Sequence, residues 1–334
     1  MRIGIFDIGT KAIRLLVGDK NLFLKEGFSF NHFANFGTRT YLGDHIGSDG
    51  ALKVKGLEKT IIAIKNFKRQ ARKYNVKEFS AVGTAIFRNI NNSNDILDII
   101  KKSTGLDVNV LSKEDEAKFS LIAAINSTTT LRSEDTVVLI DQGGGSTEIS
   151  FGTYHNEEKI EFNSLQSLDL GTVDLKNRLF SYDATVENVY NDLIDDSKRL
   201  IRKHKPYKID KTTKAFGMGS GITNMLGKQS NKKQHAKILS PEKIDYIANK
   251  TIKQDSYLIW EKQPNNEFPN GEKRTIDSLK KLYNKNQDLV DRPLSILLGR
   301  IVYKEILDYY KIDHINVCAA GLRYGIFFQN IYNY

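Results

Sequence analysis

The sequence has little cysteine, little proline and no long apolar run, and each shortage excludes something. One cysteine in 334 residues, Cys318, rules out an internal disulfide and fits a reducing compartment. Its place in the apolar run 315–320 makes it a buried strand residue. Five prolines and 40% hydrophobic residues describe an ordinary soluble globular chain without low-complexity segments. No stretch approaches the ~18 consecutive apolar residues that span a bilayer, and no signal segment precedes the first strand. The expectation is a cytoplasmic protein with no membrane partner. Acidic residues are outnumbered, 40 against 50 Lys and Arg, for a net charge of +10. That balance favours polyanionic ligands, although a Lys-rich proteome would produce it too. The length exceeds what one core usually holds, so two domains are expected.

The chain is organised around residues 136–151. Val137 to Ile140 is a continuous β-branched-rich run, as in a strand buried on both faces. It ends in Asp141, passes Gly143, Gly144, Gly145 and Ser146, and resumes in alternation at Thr147, Ile149 and Phe151. A turn without side chains can bring backbone N–H groups onto a phosphate. Asp141 and Glu148 flank it with carboxylates, the ligand type that a hard divalent cation prefers. A second copy sits at the start of the chain: apolar strand, Asp7, Gly9, Thr10, Lys11, then a strand carrying Arg14 and Leu15. Asp7 matches Asp141 and Gly9 matches Gly143 at one constant offset. The repeat predicts two similarly built lobes, 1–128 and 129–320, with residues 321–334 packing back on the first as an amphipathic helix. A cleft between them would hold a phosphate from both sides.

Strands are expected at 3–6, 13–17, 21–30, 79–84, 108–111, 159–162 and 315–318. The segment 37–50 reads as a loop over the cleft. Helices are expected at 51–74, 95–104, 173–180, 184–203, 275–283 and 289–310, with another opening at Pro241. Ser112 is a fitting N-cap for a helix that starts with Glu114, Asp115 and Glu116. A Gly-rich turn contains Gly217, Gly219 and Ser220. Basic residues crowd 198–214 (Lys198, Arg199, Arg202, Lys203, Lys205, Lys208, Lys211, Lys214), and more follow at Lys228, Lys232, Lys233 and Lys237. Residues 261–274 read as a polar surface loop. The alternation of strands and helices predicts an α/β protein with mixed sheets.

In their order along the chain, these motifs resemble the exopolyphosphatase / guanosine pentaphosphate phosphatase family of the actin, sugar-kinase and heat-shock-ATPase superfold. The resemblance rests on Asp7-Ile8-Gly9-Thr10 with Ile13 to Val17, Gly83 to Arg88, Glu114 to Ala117, Asp141 to Glu148, Leu170-Gly171, Gly217 to Gly221, and Gly321-Leu322-Arg323. It implies two actin-like (ribonuclease H-like) α/β lobes around a central cleft, and a short form that stops where longer members add a helical extension. It also implies hydrolysis of a terminal phosphoanhydride bond with Mg²⁺ or Mn²⁺. Glu116 matches the family's catalytic glutamate, and Arg88 would clamp phosphate oxygens. Gly9, Thr10, Lys11, Arg14, Gly143 to Thr147, Gly217, Gly219 and Ser220 would bind phosphate. Asp7, Asp141 and Glu148 would hold the cation. A first-turn glutamate favoured by the helix dipole would look the same as Glu116 in the absence of this resemblance.

Four places along the chain depart from the family pattern. Lys11 stands in place of Asn, Gln142 in place of an apolar residue, Gly219-Ser220-Gly221 in place of Gly-Gly-Thr, and Tyr324 in place of Glu. The leading expectation is release of orthophosphate from inorganic polyphosphate. Hydrolysis of guanosine pentaphosphate is the alternative within the class. A non-hydrolytic polyphosphate or alarmone binder and an ATP-dependent kinase are the alternatives outside it. No specific nucleic-acid partner is expected. Family members are often dimers, but no stretch here marks an interface.

Overall fold

A computed structural model describes residues 1–203, 207–227, 230–255 and 273–334. The expected loop 261–274 and the basic residues Lys205 and Lys228 fall largely or wholly outside the described residues. The first half runs β1 (Arg2–Ile8), β2 (Ala12–Asp19), α1 (Lys20–Glu26), β3 (Ala34–Arg39), α2 (Glu58–Arg72), β4 (Glu78–Gly83), α3 (Ala85–Asn89), α4 (Ser93–Thr104), β5 (Asn109–Val110) and α5 (Lys113–Asn126). The second runs β6 (Asp135–Gln142), β7 (Thr147–Asn156), β8 (Lys159–Leu168), α6 (Thr172–Ser181), α7 (Val186–Lys203), β9 (Lys214–Gly219), α8 (Ser220–Thr223), α9 (Asn231–Gln234), β10 (Ile238–Leu239), α10 (Pro241–Gln254), α11 (Ile276–Lys285), α12 (Gln287–Tyr310), β11 (Ile315–Val317) and α13 (Leu322–Tyr332).

The two sheets are copies of one plan. Their orders are β3-β2-β1-β4-β5 and β10-β11-β9-β6-β7-β8, so in each an antiparallel three-strand meander is followed by parallel strands. Registers agree residue by residue. Asp7 lies opposite Arg14 and beside Val82, and Asp141 lies opposite Glu148 and beside Met218. The turns agree too: Gly9 N donates to Ala12 O at 3.0 Å, and Gly143 N to Ser146 O at 2.9 Å. The repeat read in the sequence is therefore a repeat of backbone hydrogen bonding. These are the two actin-like lobes and the cleft of the expected fold class.

Each central strand is buried on both faces, which explains its unbroken apolar run. Phe6, Ile8, Ile13 and Leu15 join a core with α2 and α4, and Val138 and Ile140 join another with α6, α7, α10, α11 and α12. The opposite faces, Ile5 and Leu16 in one sheet and Val137 and Leu139 in the other, pack on a middle layer made by α5 and α13. Gly18 on β2 lets the Phe327 ring of α13 settle against the strand, and Gly325 lets α13 touch the backbone of α5 at Phe119. Residues Leu322 to Phe328 are all buried, so the first two turns of α13 are enclosed all round where an amphipathic helix was expected, and only its last turn, with Asn330 exposed, meets solvent. No helix among the described residues is long and apolar enough to cross a membrane.

One expected strand is a helix. Residues 20–26 form α1, because the Asp19 side chain accepts from the N–H groups of Asn21 and Leu22 and Gly27 ends the turn at φ 72°. The third strand comes later, as β3, and takes up the start of the expected loop 37–50. Ser112 caps α5 as expected, accepting from Asp115 N at 3.0 Å.

Candidate active site

Strands β1, β4, β6, β9 and β11 all end at one cavity of about 300 Å³, as ligand sites in α/β sheets generally do. The turns 7–12 and 141–146 face each other across it. At Gly144 a Cβ would meet Thr10 Cβ at 3.0 Å and Lys11 N at 3.4 Å; at Gly145 it would meet Thr10 Oγ1 at 3.1 Å and Ala85 Cβ at 3.0 Å. Those glycines are therefore explained by the close approach of the opposing turn; neither has the positive φ that would itself favour glycine.

Of the residues singled out from sequence, Asp7, Gly9, Thr10, Lys11, Arg14, Glu116, Asp141, Gly143, Gly144, Gly145, Ser146, Gly219 and Ser220 line this cavity. Four do not. Gly217 lies within β9, where a side chain would strike Ile222, Ile315 and Tyr303, so it serves packing and not phosphate. Thr147 is turned inward, its hydroxyl donating to Leu170 O at 2.9 Å. Glu148 is buried beneath the turn, with one oxygen accepting from Ser146 Oγ at 2.7 Å and Ser167 Oγ at 3.0 Å. Arg88 sits behind Glu116. Its Nη1 donates at 2.8 Å both to Leu111 O and to Glu116 Oε2, so it orients Glu116, while its Nε and Nη2 are buried without a hydrogen-bond partner.

The acids share one electrostatic problem. Burial pushes the Glu116 carboxyl up to about 7, with Arg88 opposing the shift and Asp141 and Asp7 adding to it. Asp141, which accepts from Ser120 Oγ at 2.7 Å, is pushed up to about 6 by burial, with Asp7 reinforcing it. Glu148 is raised well above the ordinary glutamate value by burial and by Glu116 and Asp141. Among the described residues no three His, Cys, Asp or Glu side chains gather as a ready-made metal cluster. Asp7 and Asp141 face the same cavity and Asp7 disfavours the charge of Asp141, which suits a Mg²⁺-type ion held by one or two carboxylates and completed by water and substrate oxygens. Glu148, engaged by two serines and absent from the cavity wall, does not fit that role.

Three guanidinium groups face the acids. Arg14 lies 3.7 Å and Arg323 4.0 Å from Asp7 Oδ2, while Arg39 reaches across to Asp291 on α12 at 3.3 Å. Sequence reasoning recorded Arg323 as a marker without a role and passed over Arg39. The signal for Arg39 was strand parity. Asp7, Arg14 and Gly37 lie opposite one another across β1, β2 and β3, and Arg39 is two residues beyond Gly37 on the same face. Lys11 does not reach toward the opposing turn. Its ammonium donates to Ser295 Oγ at 2.7 Å and pairs with Asp291 Oδ1 at 2.8 Å.

The other departures also have partners. A Cβ at position 221 would collide with Gln142 Oε1 and come within 3.0 Å of Gly299 Cα, so Gly221 and Gln142 accommodate each other. Tyr324 accepts from Asn35 Nδ2 at 2.7 Å, and Asn35 Oδ1 in turn accepts from Arg323 Nη2 at 3.4 Å. Among the described residues of the basic run 198–214, none lines the cavity, and Lys198 and Arg199 are paired with Asp195 and Asp196.

Paired glycine turns at the ends of two similarly built sheets, with the buried Glu116 on the same cavity wall, define a two-lobed α/β protein of the actin-like fold. More closely, the chain belongs to the Ppx/GppA phosphatase family, whose sequence profile matches residues 24–333. It is 24% identical to a bifunctional 3-dehydroquinate synthase/phosphatase of Fusobacterium nucleatum, across 98% of this chain and 46% of that protein. It is 28% identical to exopolyphosphatase 1 of Mycobacterium bovis, across 47% of this chain and 44% of that one. The chain thus spans just under half the length of these curated relatives. Crystal structures with the same fold include the Aquifex aeolicus family member (TM-score 0.69, 23% identity, 100% of this chain and 98% of that one). An exopolyphosphatase from Cytophaga hutchinsonii also shares it (TM-score 0.72, 18% identity, 99% and 98%).

Proposed function

We propose that the protein hydrolyses the terminal phosphoanhydride bond of inorganic polyphosphate and releases orthophosphate. The observation that carries this reading is Glu116: a carboxylate with its pKa near neutrality, oriented by Arg88, on the wall of the cavity where both phosphate turns end. A group of that pKa is half ionised near pH 7 and suited to take a proton from water. The turns 9–11 and 143–146 would hold the terminal phosphate from two sides, and Arg14 and Arg323 would offset its charge. Ionised Glu116 accepts the proton as water oxygen bonds to the terminal phosphorus. The bridging P–O bond breaks, and its electron pair leaves with the shortened chain. Asp7 and Asp141 would hold Mg²⁺ or Mn²⁺, which when bound neutralises phosphate charge.

The cations on the cavity wall, Lys11, Arg14, Arg39 and Arg323, suit a densely charged polyphosphate end. The test is orthophosphate release with Mg²⁺ from polyphosphate and, separately, from guanosine pentaphosphate. Faster release from the nucleotide would redirect the assignment within the class. Tight binding of either without release would make the protein a binding module.

A further inference from the structure

Lys11 and Arg39 both line the main cavity, yet both pair with Asp291 on the opposite lobe, and Arg39 also lies 3.7 Å from the exposed Asp288. Asp291 is 5% exposed, and with Lys11, Tyr41, Lys176 and Ser295 it encloses a space of only about 10 Å³ beside the first cavity, so room for a phosphate there opens only when Asp291 withdraws. We propose that Lys11 and Arg39 form a second anion subsite, beside the terminal-phosphate site, in which Asp291 stands where a non-terminal phosphate of the substrate binds. This rests on the polyphosphatase reading and deepens it.

Three observations carry the proposal. The first is position: Lys11 follows Thr10 in the turn that meets Gly144, and Arg39 lies opposite Ala12 on the neighbouring strand, so both cations sit about one residue from the phosphate turns. The second is incomplete pairing. Asp291 Oδ2 is buried without a hydrogen-bond partner, and Arg39 approaches it at 3.3 Å as an ion pair only. A phosphate group offers the same two cations more acceptor oxygens and more charge than a carboxylate does. The third is the fold: Asp291 belongs to α12 of the second lobe and the cations to the first, so an anion that displaces it also undoes a strut across the cleft. Burial presses the Lys11 ammonium toward its neutral form while Asp291 holds it charged, as for a cation that needs an anion beside it.

The subsite separates chains from product. Orthophosphate fills the terminal site alone, whereas a chain of two or more phosphates can also compete with Asp291. The test is calorimetric titration of the intact protein with tripolyphosphate and with orthophosphate, in a Glu116→Gln background that leaves the chain uncut. Asp291→Asn should tighten tripolyphosphate about tenfold and Arg39→Gln should weaken it about tenfold, the size of one charge-assisted contact. Orthophosphate should change less than about twofold in either. The gain from Asp291→Asn should vanish when Arg39→Gln is added. Unchanged tripolyphosphate affinity in both variants overturns the proposal, as does an equal change for both ligands, which would report general electrostatics. Should Asp291→Asn not fold, half-exposed Arg39→Gln carries the test alone. The two levels separate cleanly. Turnover of polyphosphate by the unmutated protein with unresponsive variants sinks the subsite alone. The expected affinities without any turnover sink the activity alone.

Discussion

Glu116 is an acid held where its charge is unwelcome, and its function and its stability cost have one origin. Glu116→Gln should lower kcat by about 10²–10⁴-fold with KM nearly unchanged, because the loss falls on proton transfer and not on phosphate binding. The pH–rate profile should show an acid limb near 7, with activity lost as pH falls and the carboxylate is protonated. Arg88→Ala removes the group that opposes the upward shift, so it should move that limb to higher pH; an unmoved limb would assign it to another group. For stability the sign is opposite. A carboxyl raised from 4.5 to about 7 binds its proton in the folded state, so stability is full below about 4.5 and declines as pH rises through 7. Glu116→Gln should therefore raise the melting temperature at pH 8, with roughly 3 kcal/mol as the ceiling from this one group. The pair Gln142 and Gly221 makes a separate point at this scale. Gly221→Thr restores the family residue but collides with the Gln142 carboxamide and nears Gly299, so it should lower stability unless Gln142 is also replaced by a smaller apolar residue. Equal melting temperatures for the single and double variants would contradict that coupling.

At the scale of elements, α13 shows how much of the fold is tertiary. Phe327 is fully buried against β2 over Gly18, so Phe327→Ala should cost about 3–5 kcal/mol, read as a lower urea midpoint. Sequence reasoning placed this helix by its apolar residues and could not see that its other faces are covered too. The central strands were legible because burial on both faces leaves unbroken Ile, Val and Leu runs. Segment β3 was not, since Ala34–Arg39 is an edge strand in which only Ala34 and Phe36 pack on a core, too short an apolar alternation to stand out. Residues 21–30 imitated a strand through Leu22, Phe23 and Leu24, and the Asp19 cap decided otherwise. The site followed the same division. Glycine turns and acids announce themselves by type, but whether Glu148, Thr147 or Arg88 faces the cavity depends on partners distant in sequence: Ser167, Leu170 and Glu116.

At the scale of the molecule, charge must be weighed by location. The described basic residues of α7 and the segment after it add to the net charge but stand away from the cavity, and Lys198 and Arg199 are already paired. Alanine at Lys198, Arg199 and Lys211 together should leave both the KM for polyphosphate and its salt dependence unchanged, whereas Arg39→Gln should flatten that dependence. A shallower salt slope in the triple variant would return that run to the binding surface. The duplicated plan has one further result. In each half the last parallel strand feeds a helix, β5 into α5 and β11 into α13, and those two equivalent helices cross with their backbones touching at Phe119 and Gly325. Near its start one carries Glu116 and the other Arg323, and both side chains stand on the cavity wall. Their spacing is therefore set by the packing of two helices and not by a loop, and a bulkier residue at position 325 would disturb both at once.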